Sequence, residues 1–174
     1  MSPSPPRVVP DAVAGCLDAC RRLESVMDAV LLEDRAVFPL VGPHLRHCVD
    51  HFKLFLDGWR SGSVDYDDRY RDLELERNPE AARRALSAIA GSLAGIRIVD
   101  FSNALAVTQS AAPGRPPLSS PSRVERELVF LSGHAIHHVA IMLLIARAAG
   151  VAIPASLGVA YSTEAHLESL ATHR

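Results

Sequence analysis

The chain has 174 residues, of which 18 are basic and 20 acidic, giving a formal charge of -2, and 48% are hydrophobic. That length suits one domain with one substantial core, and the balanced charge, spread along the chain, offers no basic stripe to follow a nucleic-acid backbone. The lead "MSPSPPRVVPDAV" has four prolines and no apolar h-region, so it reads as neither a signal nor a transit peptide. Residues 1–10 are expected to be a flexible Pro-rich N-terminus ahead of a single domain over 11–174, in a cytoplasmic protein.

The first long helix is predicted over about 11–34, where Val13, Leu17, Cys20, Leu23, Met27, Val30 and Leu31 recur at three- and four-residue spacing. "AVFPLVG" interrupts with Pro39 and Gly42, and Pro43 suits the first position of a second helix over about 43–60. "SGSVDYDDRYRDLELERN" is polar and charge-alternating and reads as a connection, long enough to be functional rather than a mere turn. Asn78 before Pro79 is an N-cap signal for a third helix that ends near Gly95.

"IRIVDF" and "ALAVTQSA" are β-prone and are expected to pair as a small hairpin. A Pro-rich loop, "APGRPPLSSPS", follows, and Ser122 with Glu125 has capping-box spacing. The fourth helix is predicted over about 123–149, stopped by Gly150. Its run "VAIMLLIARAAGVAI", broken by Arg147 and Gly150, is too short for a bilayer and reads as a core helix, so no membrane partner is expected. A short helix starts near Ser162 or Thr163. Four principal helices predict an all-α four-helix bundle with one short β-hairpin before the last long helix. Cys16, Cys20 and Cys48 read as buried small hydrophobes in a reducing compartment.

Six of the eight histidines fall in two groups, His44, His47 and His51 on the second helix and His134, His137 and His138 on the fourth. At about 100° per residue, 44, 47 and 51 share one stripe, as do 134 and 138, while 137 stands to one side. Imidazoles four apart converge on one ion at about 2.1 Å per nitrogen. Three such ligands leave positions open for water or substrate. A hydrogen-bonded core pair is the competing explanation for a lone HxxxH, but two groups of buried imidazoles need a common partner.

"GPHLRHCVDHF" on the second helix together with "RELVFLSGHAIHHVAIM" on the last long helix resembles the DinB-like metal-binding four-helix bundle superfamily. The resemblance runs from the first helix to about residue 160. It implies that a second-helix histidine joins the HxxxH pair to bind one divalent metal, matched here by His47, His134 and His138, with His44 and His51 as alternates for the second-helix ligand. It also implies thiol-dependent transferase or isomerase chemistry among the relatives, many of which have no assigned activity. The additional domain of the oxidative carbon-sulfur-forming members is not expected in this chain, which argues against that chemistry.

The expected function is thus a metal-dependent transferase or hydrolase using Zn, Ni, Fe or Mn on a small-molecule substrate, with a low-molecular-weight thiol as one co-substrate. The alternatives are a non-enzymatic metal- or ligand-binding stress or sensor protein, and a structural dimeric bundle. A homodimer is expected on any of these readings. Glu127, two turns before His134 on the same face, is a candidate general base or imidazole acceptor, with an Arg-paired carboxylate as the alternative. Asp50 is expected to face solvent, with orientation of the neighbouring imidazole as the alternative. Tyr66, Arg69 and Tyr161 read as surface groups, on loops that could cover the end of the bundle where a substrate would approach.

Overall fold

The computed structural model describes residues 9–172, so residues 1–8 of the Pro-rich lead lie outside the described residues. Helix α1 spans Asp11–Glu33 and buries Val13, Cys20, Leu23, Met27 and Val30 of the stripe that its spacing predicts, with Cys16 added and Leu17 and Leu31 only partly buried. Helix α2 spans Phe38–Gly58, starting earlier than expected. Pro39 sits in its first turn, where a missing N–H is no loss, and Phe38 and Val41 are fully buried. The apolar contacts of these two residues extend the helix backwards. Pro43 therefore lies inside α2 rather than at its start, forgoing one backbone hydrogen bond.

The polar stretch expected as a connection contains strand β1, Ser63–Asp65, and the single-turn helix α3, Glu74–Arg77. Gly42 of α2 lets α3 approach closely, because a Cβ there would run into the Glu76 carbonyl. Helix α4, Pro79–Leu93, is capped as its sequence predicts, Asn78 Oδ1 accepting from the backbone N–H of Glu80 and Ala81 at 3.1 and 3.2 Å.

The expected hairpin partner is corrected. Ile98–Asp100 forms a 3-10 turn with Ile98 and Val99 exposed. Strand β2, Ala104–Gln109, pairs instead with β3, Leu118–Arg123, across the Pro-rich loop. The sheet has the order β1-β2-β3, with β1 parallel and β3 antiparallel to β2. β3 is almost wholly exposed and contains Pro121, which an edge strand tolerates. It carries no apolar alternation because its role is backbone pairing. The chain is thus mainly helical with a small three-stranded mixed sheet, not purely all-α.

Helix α5 spans Val124–Ala148, and Gly150, at φ 92°, turns the chain out of it. The expected capping box is absent: Ser122 belongs to β3 and donates its hydroxyl to Glu127. By length and composition α5 could cross a membrane, with a mean hydropathy of 1.9 over its most apolar window. Leu128, Leu131, Ala135, Val139, Met142 and Ala146 are nevertheless buried in the bundle, where α5 packs on α1 and α2 while α4 closes the other side. Helix α6, Tyr161–Thr172, buries no residue and is tied down by the bidentate Arg22–Glu164 pair and by Tyr161 donating to the Gly15 carbonyl. Cys16, Cys20 and Cys48 are free and buried, as expected. Burial pushes the Cys16 and Cys20 thiols up to about 12, which keeps them protonated and inert.

Candidate metal centre

The packing of α2 against α5 turns two sequence stripes into one cluster. His47, His51 and His134 each offer a ring nitrogen, all within 4.8 Å of one another. Nε2 of His47 and Nε2 of His134 are 3.0 Å apart. The ring of His138 lies 4.7 Å from that of His134 and 4.6 Å from that of His47, so His47 and His134 are shared by two triangles of imidazoles. The third corner is His51 in one and His138 in the other. His44 pairs with His138, Nδ1 to Nδ1, at 3.0 Å. His137 is exposed and touches only the edge of His138 among the rings, as its angular position predicts.

Such a cluster fits a divalent transition metal by its donor chemistry. Every group offered is imidazole, which suits Zn, Ni, Fe and Mn alike. A ligating histidine needs an acceptor for its remaining N–H, and the cluster supplies two. Nδ1 of His51 lies 2.9 Å from the backbone carbonyl of His47. A carbonyl only accepts, so this Nδ1 carries the proton and Nε2 keeps its lone pair. Nδ1 of His138 faces Nδ1 of His44, an imidazole nitrogen that accepts when the His44 proton sits on Nε2.

Burial, followed by repulsion from neighbouring imidazoles, lowers His47 and His134 to about 3 and His138 to about 4. His44 and His51 are also lowered, burial being the first cause of each. The rings are therefore neutral at pH 7 and available as ligands. Because the folded values lie below the unfolded value near 6.5, the unfolded chain binds more protons across the interval between them. Stability is complete above about pH 6.5 and falls as the pH drops toward the folded values. Denaturant unfolding of metal-free protein should show a loss of about 2 kcal/mol between pH 7 and 5, well below the sum for three fully buried rings because their edges meet solvent. A flat profile over that range would contradict the buried, neutral cluster.

Several residues set aside as surface groups belong to the walls of this site. Tyr66 is only 3% exposed and stacks on His51 at 5.3 Å between ring centroids, with a 17° interplanar angle. Phe130 stacks on His134 at 5.5 Å and touches Tyr66 at 5.4 Å. These rings shield one side of the cluster from water. The Tyr66 hydroxyl donates to Glu127 at 3.0 Å, and the phenol is shifted upward by burial and by that carboxylate.

Glu127 is fully buried and also accepts from Ser122 and, at 2.8 Å, from Arg126. The structure brings it to Tyr66 rather than to an imidazole, so it supports the wall behind His51. Asp50 is not solvent-facing but 0% exposed, paired with Arg46 at 2.7 Å and reached by the Arg71 N–H at 3.3 Å. Arg46 needs that counter-charge and is itself shielded between Asp50 and Glu76, which draws the carboxylate inward. Arg69 reaches into the cluster, its Nη1 lying 3.1 Å from Nδ1 of His47. The length of the loop carrying Tyr66 and Arg69 marks the segment as functional in the sequence, but nothing local distinguishes these two from its other polar residues.

A cavity of about 630 Å3 opens between the hairpin and the first turns of α5, lined by residues including Val107, Leu118, Ser122, Arg126 and Glu127. No imidazole lines it, so it lies behind the cluster rather than over it. Comparison with known proteins matches no family model, no curated protein and no solved structure.

Proposed function

We propose that this chain is a DinB-like metalloprotein that holds one divalent transition metal on His47 and His134, with His51 or His138 as the third ligand, and that it acts as a metal-dependent transferase or hydrolase. The observation that carries this reading is the convergence of three ring nitrogens, from two helices, within 4.8 Å. His51 is favoured as third ligand by that spacing, and His138 by the resemblance of its HxxxH pair. A divalent ion there would supply Lewis acidity, lowering the pKa of a bound water or small thiol to make a nucleophile at neutral pH.

The chain's own residues prepare the site. The His47 carbonyl holds the His51 ring in one tautomer, and His44 can do the same for His138. Tyr66 and Phe130 keep water from the rear of the rings. Three free buried cysteines are consistent with a reducing, cytoplasmic location.

Metal analysis of protein purified without an affinity tag should find about one equivalent per chain, and less than about a tenth would defeat the reading. Chelation should abolish thiol-transfer or hydrolase activity, and a divalent ion should restore it. Stoichiometric metal without any metal-dependent turnover would favour a non-enzymatic binding protein.

A further inference from the structure

The imidazoles of the cluster differ in what faces their outer nitrogens. His51 has a carbonyl at 2.9 Å and His138 has another imidazole at 3.0 Å, both able to accept. Nδ1 of His47 has only the guanidinium of Arg69, at 3.1 Å, and a guanidinium donates but never accepts. If His47 ligates through Nε2, its Nδ1 carries a proton that opposes the Arg69 N–H. If it ligates through Nδ1, Arg69 stands where the ion belongs. On either route Arg69 must leave His47 when metal enters.

Among the described residues the guanidinium makes no ion pair. Its Nε is buried without a hydrogen-bond partner. Of the carboxylates around the site, Asp67 accepts from the backbone N–H and hydroxyl of Ser110 and Glu127 from Tyr66, Ser122 and Arg126, while Asp50 pairs with Arg46 through Oδ2 and keeps a buried Oδ1 without a partner. Neutral imidazoles do not offset the charge of a divalent ion. Ion and guanidinium together would place three positive charges in a half-buried site whose one unpartnered carboxylate oxygen, Oδ1 of Asp50, belongs to a charge already shared with Arg46, an arrangement that an anionic ligand stabilises strongly.

We infer that the site takes a small molecule bearing an oxyanion, carboxylate or phosphate-like, which the metal and Arg69 hold together, Arg69 being the residue that selects it. This rests on the metal reading above. The planar fork of a guanidinium matches two oxyanion oxygens at once, which a lysine cannot do. The contact with His47 is then the resting position of Arg69, given up on metal loading.

The test uses the full chain loaded with Co2+, whose visible absorption reports its coordination. Acetate and methylphosphonate are titrated separately to distinguish the two oxyanion types. The wild-type spectrum should respond saturably to at least one of them. Arg69→Met should weaken that anion at least about tenfold, the lower end of what loss of a hydrogen bond to a charged group costs. The same variant should bind Co2+ more tightly, because the donor competing at His47 is gone. Arg69→Lys, which keeps the charge without the fork, should fall between and serves if the methionine variant does not fold. Unchanged anion affinity in both variants, or no wild-type response to either anion with Co2+ stoichiometrically bound, overturns the inference while leaving the metal site standing. Failure of wild-type protein to bind Co2+ overturns both.

Discussion

Replacing His134 with alanine should weaken divalent-metal binding by at least about a thousandfold, beyond the 10–100-fold that loss of an outer hydrogen-bonding partner costs. His134 belongs to both triangles of the cluster, approaching Nε2 of His47 to 3.0 Å and lying beside both His51 and His138. No alternative third ligand can spare it. Calorimetric titration with Zn2+ or Co2+ measures the effect, and His137→Ala is the control, expected within about twofold of wild type because its ring is exposed and outside both triangles. The metal-free variant should remain folded, since the ring removed is only partly buried. Undiminished affinity in His134→Ala would mean that the imidazoles only hydrogen-bond to one another in the core. Comparing His51→Ala with His138→Ala then identifies the third ligand, as the true one should approach the loss seen for His134.

Glu127→Ala should destabilise the fold by about 3–5 kcal/mol, the range for breaking a buried charged network by removing one member. Its carboxylate is 0% exposed and is the acceptor for Tyr66, Ser122 and Arg126. The alanine variant leaves a cavity and a buried Tyr66 hydroxyl without that partner. Glu127→Gln keeps the shape and one carbonyl oxygen, so it should cost about 1–2 kcal/mol. Urea unfolding of both variants checks the difference. A loss below about 1 kcal/mol for the alanine variant would show that the network contributes little to stability. Because Tyr66 stacks on His51, the two variants also separate support of the wall from catalysis: a supporting role predicts loosened metal binding in Glu127→Ala, largely restored in Glu127→Gln.

Much of this was legible in the chain because helices obey short-range rules. The stripe on α1, the Asn78 cap and the Gly150 stop each depend on neighbours within a turn or two, and each is found where periodicity and capping chemistry place it. Where a longer-range contact decides, local reading errs. Phe38 and Val41 join the core and draw the start of α2 backwards past Pro39 and Pro43. β2 selects the polar, Pro-containing Leu118–Arg123 over the more β-prone Ile98–Asp100, since a strand pairs through backbone groups that sequence composition does not reveal.

The candidate site divides in the same way. Helical spacing by itself determined that His44, His47 and His51 form one stripe, that His134 and His138 form another and that His137 stands apart, because the angle per residue is a constant of the helix. Only the tertiary structure decided how the stripes meet, with His47 between His134 and His138, His51 drawn into a triangle and His44 placed behind His138. It also decided that Tyr66, Arg69 and Asp50 are parts of the site and its supports rather than surface groups, and that Glu127 reaches Tyr66 and not an imidazole. Such contacts depend on the rotation and depth at which two helices pack and on how a loop closes over them, quantities set by the whole core rather than by any short stretch of chain.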